Sequence, residues 1–203
     1  PDKLIGSLVL PDGITKIDKF AFSDCSGLTN IVIPNSVKVI ADYAFSCCTG
    51  LTSIVIPDSV TKIGNNVFSD CSSLIRVIIP DSVTKIGDYV FSNCTHLTEL
   101  TVDNENPVYC SENNILYTKD KTHLIAAAGG LKGCVVLPDT VTEIADFSFR
   151  DCCSLTSVNI PRSVTRINDC AFSGCTGLIE LNVDSENPIY YSENNILYTK
   201  DKK

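Results

Sequence analysis

Apolar and polar positions along this chain recur with a period of 23 residues, in a register set by Pro11, Pro34, Pro57 and Pro80 and resumed by Pro138 and Pro161. One unit, Pro57–Ile79, reads PDSVTKIGNNVFSDCSSLIRVII. Three residues past proline stands an aliphatic residue (Ile14, Val37, Val60, Val83, Val141, Val164), and six past, always isoleucine. Eleven past is always phenylalanine, fourteen past always cysteine, and seventeen past always leucine. Each unit ends in an alternating stretch such as Ser53-Ile54-Val55-Ile56, the period-two pattern of a half-buried strand. Ile54 and Ile56 then face inward while Ser53 and Val55 face outward. A fixed period of this size predicts stacked structural units that share one continuous core. Eight such strands, ending at Leu10, Ile33, Ile56, Ile79, Val102, Leu137, Ile160 and Val183, would pair in parallel. At about 4.8 Å between strands the sheet would be roughly 35–40 Å long. A second extended piece is expected near Val60–Ile63, followed by a tight helical or 3₁₀ turn over Asn66–Cys71.

The period is broken once. Residues 101–121, TVDNENPVYCSENNILYTKDK, return as 182–202 with 17 of 21 positions identical, 81 residues later. The first copy continues into Thr122–Ala128, read as the returning strand of a hairpin, and re-enters the repeat at Pro138. This partitions the chain into repeats (1–102), an insert (103–137), repeats (138–183) and a truncated second insert (184–203). The chain begins at Pro1, lacks methionine and stops at Lys203. It reads as a piece of a longer protein with uncapped ends, and residues 192–203 are expected to lack order for want of a returning strand.

Leu51–Cys71, LTSIVIPDSVTKIGNNVFSDC, resembles the BspA-type leucine-rich repeat, with Val67 where that pattern usually has alanine. The resemblance recurs six times and covers nearly the whole chain. It implies a leucine-rich-repeat solenoid of the α/β, β-rich class. One parallel sheet would line the concave face, short 3₁₀ or helical turns would follow, and one hairpin-like insert would interrupt the repeats. It also implies an extracellular or cell-surface location, since the family is found largely in bacterial surface proteins and in some parasitic protists. Several members look like adhesins, but the family has no catalytic motif or ligand residue to transfer.

Composition narrows the function. A formal charge of −8 and a pI near 4.7 argue against nucleic acid or an anionic membrane as partner. No apolar run reaches transmembrane length, so direct membrane insertion of this segment is not expected. Six of the eleven cysteines (Cys25, Cys48, Cys71, Cys94, Cys152, Cys175) form one column at the repeat period and read as buried, reduced thiols. Cys134 and Cys153 fall at outward positions. No C-x-x-C pair, Walker loop, Gly-x-Ser-x-Gly or His-Glu-x-x-His is present, so no metal, cofactor or catalytic residue is assigned. The acidic run Asp103–Asn106 lacks the glycine and terminal glutamate of a calcium loop and reads as turn chemistry.

Recognition is left to the outward strand positions and the insert. Two residues before proline the outward row is apolar in the first half of the chain (Val9, Val32, Val55, Ile78) and more polar later. A contiguous exposed apolar row can be an interaction site, although β-branched residues also suit any strand. Four residues before Pro80 stands Arg76, and Glu99 takes the equivalent position one repeat later. Tyrosines gather in the inserts, and tyrosine is enriched at interfaces, so Tyr109 and Tyr117 make the insert a rival site. The candidate protein-binding residues are therefore Val32, Val55, Arg76, Ile78, Glu99, Tyr109 and Tyr117. The expected partner is another protein, of a host or neighbouring cell surface. Two alternatives stand: a structural spacer within a larger surface protein, and carbohydrate binding through the tyrosine-bearing inserts.

Overall fold

In the computed structural model, which describes residues 4–200, each unit forms one turn of a β-solenoid. The alternating stretches form the front strands β1 (Gly6–Val9), β3 (Leu28–Val32), β5 (Ser53–Ile54), β7 (Arg76–Ile79) and β9 (Glu99–Val102). After the insert come β13 (Gly133–Val136), β15 (Leu155–Ile160) and β17 (Glu180–Val183). Pairing is parallel and in repeat order, with Ile31 beside Ile54 and Val77 beside Leu100. The expected parallel sheet, in repeat order, is interrupted by the insert between β9 and β13 and so forms parts of five and three strands.

Behind the front sheet, the residues five and six past proline form short strands. These are β2 (Lys16–Ile17), β4 (Val39–Ile40), β6 (Lys62–Ile63) and β8 (Lys85–Ile86), then β14 (Glu143–Ile144) and β16 (Arg166–Ile167). The extended piece expected before Ile63 is thus present, with isoleucine inward and lysine outward in β6.

The expected helical turn is not. Among the described residues there is no helix or 3₁₀ segment. Over Asn66–Cys71 the chain makes linked turns in which Asn66 and Asp70 take positive φ, 53° and 62°. A left-handed residue every fourth position breaks the i→i−4 ladder that a helix requires. The backbone N–H groups instead alternate in direction. Those of Asn66, Phe68 and Asp70 donate to Asp88, Val90 and Ser92 of the next unit, while those of Ser69 and Cys71 close turns onto Asn66 and Phe68. This corner is therefore a third inter-unit ladder, and it satisfies backbone groups that a buried loop would leave unpaired.

Inside the turns the repeat columns stack. Phe22, Phe45, Phe68 and Phe91 lie ring on ring with centroids 5.3, 5.8 and 5.7 Å apart. Cys25, Cys48, Cys71, Cys94 and Cys152 are buried, and Cys175 is half-buried at the end of its block. The column has a shared hydrogen bond: the thiols of Cys48, Cys71, Cys94 and Cys175 donate to the carbonyls of Phe22, Phe45, Phe68 and Phe149, at 3.0–3.1 Å. Burial pushes the Cys48 thiol up to about 12 and holds Cys94 higher still. Below about pH 9 these thiols are neutral whether the chain is folded or not. Between about 9 and 12 the unfolded chain loses protons that the folded one keeps, so stability is expected to fall across that window. In the native state a thiol reagent should modify exposed Cys134, Cys153 and Cys170 quickly and Cys71 and Cys94 only on denaturation. Native-state labelling of Cys71 at the same rate would contradict the buried column.

The insert contributes β10 (Tyr109–Glu112), β11 (Ile115–Thr118) and β12 (His123–Ala127), joined antiparallel. β12 then pairs in parallel with β14, His123 beside Glu143 and Leu124 beside Ile144. The insert thereby ends one set of back strands and founds the next. Its strands are buried on both faces: Leu116 and Ala126 pack into the core of the first block, Ile115, Tyr117 and Leu124 into that of the second.

In the second insert, β18 (Tyr190–Glu193) and β19 (Ile196–Thr199) form the same hairpin. This corrects the expectation of disorder over those residues of 192–203; residues 201–203 lie outside the described residues. Among the described residues no third strand lies beside β19, and Ile196 and Tyr198 are 54% and 39% exposed, whereas Ile115 and Tyr117 are buried.

Candidate functional site

The outward residues of the front sheet follow from strand alternation. Val9, Val32, Val55 and Ile78 stand in one row on β1, β3, the end of β5 and β7, with Val9 69% and Val55 77% exposed. β-Branched side chains in adjacent parallel strands pack laterally, which fixes the row as a ridge. Val55 and Ile78 also line a groove of about 380 Å³ with Ile54, Asp58, Arg76 and Asp103. Arg76 does not stand alone. It lies in register with Glu99, and its Nε is 3.0 Å from the Glu99 carboxylate. Both side chains are about half exposed, so the pair adds at most about 1 kcal/mol to stability and its two charges largely cancel at that edge. Asp58 and Asp103 leave the other end of the groove acidic. Val32, Val55, Arg76, Ile78 and Glu99 therefore share one face.

Tyr109 and Tyr117 do not join them. Both are buried, and neither lies on the front face. The Tyr109 hydroxyl accepts the backbone N–H of Ile86 at 3.0 Å, and Tyr190 does the same for Ile167. Each tyrosine thus caps the last back strand of its block, where another unit would otherwise pair. Tyr117 is buried because β11 lies between the two cores. Interface enrichment misled here because it says nothing about a strand covered on both sides.

Sequence reading also missed the residue that seats each insert. Asn106, assigned to a surface turn, is fully buried. Its Nδ2 donates to the carbonyls of Pro80 and Val83 at 2.8 and 3.0 Å, and its Oδ1 accepts the N–H groups of Val108 and Tyr109 at 2.9 and 2.8 Å. Asn187 repeats these bonds to Pro161, Val164, Ile189 and Tyr190. The signal was the shared Asn-Pro-x-Tyr at 106–109 and 187–190. Asp103 behaves as turn chemistry, accepting the Glu105 N–H at 2.8 Å. Among the described residues no group of three or more His, Cys, Asp or Glu is placed to hold a metal, and no helix is long and apolar enough to cross a membrane.

Comparison with known proteins agrees with this geometry. The family model described as the BspA type leucine rich repeat region matches in six copies over residues 2–114 and 132–200. No curated protein sequence matches the chain. A solved leucine-rich repeat protein from Eubacterium ventriosum is 26% identical with a TM-score of 0.67, over 87% of this chain and 59% of that one. A leucine rich cell surface protein from Faecalibacterium prausnitzii is 27% identical with a TM-score of 0.57, over 87% and 60%. The leucine rich repeat protein of T. pallidum is 32% identical with a TM-score of 0.51, over 86% and 68%. The chain thus spans about three fifths of the length of the first two. With its repeat columns, parallel front sheet and six matched copies, the chain belongs to the BspA-type leucine-rich repeat family.

Proposed function

We propose that this chain is a non-enzymatic binding segment of a cell-surface or extracellular protein, and that its front sheet engages another protein. The observation that carries this reading is the exposed apolar row Val9–Val32–Val55–Ile78 with the groove beside it. A scaffold alone needs no such row, because the front strands are already held by their inward residues and ladder bonds. The groove pairs an apolar floor with the carboxylates of Asp58 and Asp103, so its partner presents an apolar side chain flanked by basic groups. The surface location is supported by the family and by the relative described as a cell surface protein.

Burying one exposed valine contributes about 1.5–3 kcal/mol, which is roughly tenfold or more in affinity. Val55→Glu is therefore expected to weaken binding at least about tenfold to whichever member of an array of purified extracellular proteins the native chain captures. Val55 is exposed, so the variant should keep its melting temperature. Unchanged binding by a folded Val55→Glu would remove the front face from the account, and an array with no captured protein would favour the spacer reading.

A further inference from the structure

A cavity lies away from the Val9–Val32–Val55–Ile78 row, at the joint between the two blocks. It is about 620 Å³, within the range of about 300–1,000 Å³ of small-molecule sites. One wall is the β10–β11 turn, and the other is the chain from Gly130 to β13, including the outward residues Cys134 and Val136. The first wall belongs to the insert's hairpin, and the second runs from the chain after it into the front strand β13. Asn113 and Asn114 both take positive φ, 51° and 62°, which suits asparagine in a two-residue hairpin turn.

Three groups in this cleft keep donor or charge capacity that no described residue takes up. Tyr117 is only 2% exposed, yet its hydroxyl makes no hydrogen bond among the described residues. That oxygen is not among the fully enclosed unpaired polar atoms, which are the hydroxyls of Ser148 and Ser163, so it opens on the cleft and can donate to a group bound there. Burial and the nearby Glu112 raise its pKa, so it stays a neutral donor. Lys132 is exposed and has no carboxylate within ion-pair distance among the described residues. Asn114 accepts the Leu100 N–H on its Oδ1 at 3.2 Å, which fixes the amide and leaves Nδ2 as a donor. Glu112, the one carboxylate in the lining, is held by Lys121 Nζ at 2.6 Å. The cleft is thus rich in donors and carries one unmatched positive charge, in a chain whose net charge is −8.

We propose that this cleft binds an acidic sugar, of the uronic or sialic acid class. Lys132 faces its carboxylate, Tyr117 and Asn114 donate to its oxygens, and Asn113 and Glu112 remain available to its hydroxyl groups. Among the described residues this enclosure is formed at the first insert. The second insert carries the same Glu-Asn-Asn-Ile-Leu-Tyr sequence at 193–198, but its Tyr198 lies open on an uncovered hairpin.

The test is a titration of the ¹⁵N-labelled chain with sodium N-acetylneuraminate and with sodium glucuronate, followed by amide shifts, with galactose and sodium acetate as controls. Saturable shifts at Asn113, Asn114 and Lys132 are expected with the acidic sugars. Lys132→Glu should weaken binding about tenfold or more by replacing attraction with repulsion. Tyr117→Phe should weaken it several-fold without lowering the melting temperature, because the hydroxyl it removes has no internal partner; a purely structural tyrosine would lose stability instead. No saturable shift, equal binding of acetate or galactose, or unchanged affinity in both variants would each overturn the proposal. Shifts confined to Val55 and Ile78 would overturn its location.

Discussion

Asn106→Ala is expected to destabilise the chain by about 3–5 kcal/mol. The side chain is fully buried and makes four hydrogen bonds, two given and two received. Truncation leaves two carbonyls and two N–H groups unpaired in the interior, each costing about 1–3 kcal/mol before relaxation and entry of water reduce the total. For a chain of this size that corresponds to a fall in melting temperature of roughly 6–20 °C. Asn106→Asp separates donor from acceptor. It keeps the oxygens that receive Val108 and Tyr109 but aims a carboxylate at the carbonyls of Pro80 and Val83. It should be at least as damaging at neutral pH and recover in part in acid, where the protonated group can donate once. Exposed Asn104→Ala provides the comparison and should change stability by less than about 0.5 kcal/mol. A chemical denaturation midpoint for Asn106→Ala within that margin would mean that the insert is not seated by this residue.

The same asparagine shows where a sequence of this kind can be read and where it cannot. The columns were legible because a solenoid imposes one environment at each repeat position: phenylalanine and cysteine recur where ring stacking and the thiol-to-carbonyl bond recur. The corner was half legible. Thirteen residues past proline stand Asp24, Asp70, Asn93, Asp151 and Gly174, residue types that tolerate positive φ, with Cys47 the exception. Nine past proline stand Phe20, Tyr43, Asn66, Tyr89, Phe147 and Cys170, all at positive φ, and only Asn66 carries such a signal; the ladder to the next unit holds Phe20, Tyr43 and Phe147 there against their preference. Where that second left-handed position is aromatic, the segment reads as a helical turn; in Asn66–Cys71 the asparagine was the available signal.

The front face was legible because alternation needs only local sequence, and Val55, Arg76, Ile78 and Glu99 stand where period two places them. The joint was not. Its cleft requires the β10–β11 turn to meet the chain around Lys132, a contact made by the docking of the insert and not by any repeat. The burial of Tyr117 was available in principle: Ile115-Leu116-Tyr117 lacks the polar alternate residue of a one-sided strand, as a strand covered on both faces should.

Phe68→Ala should match or exceed the asparagine variant, at about 3–5 kcal/mol, for a different reason. Phe68 is fully buried between Phe45 and Phe91, with rings 5.8 and 5.7 Å away on either side. Removing it withdraws the burial of an aromatic side chain and two stacked contacts. The cavity cannot collapse freely, because the backbone N–H of residue 68 is tied to Val90 and its carbonyl receives the Cys94 thiol. Phe22 stands at the end of the same column, half-buried and stacked on one side only, so Phe22→Ala should cost about half as much or less. This ordering is the test, read from urea midpoints of the two variants. In a stack whose stability is a sum of units and nearest-neighbour interfaces, an interior deletion weakens two interfaces and a terminal one weakens a single interface. Equal losses would mean that the chain unfolds as one globule that does not distinguish its middle from its edge. A larger loss at Phe68 would place most of the stability in the contacts between successive turns.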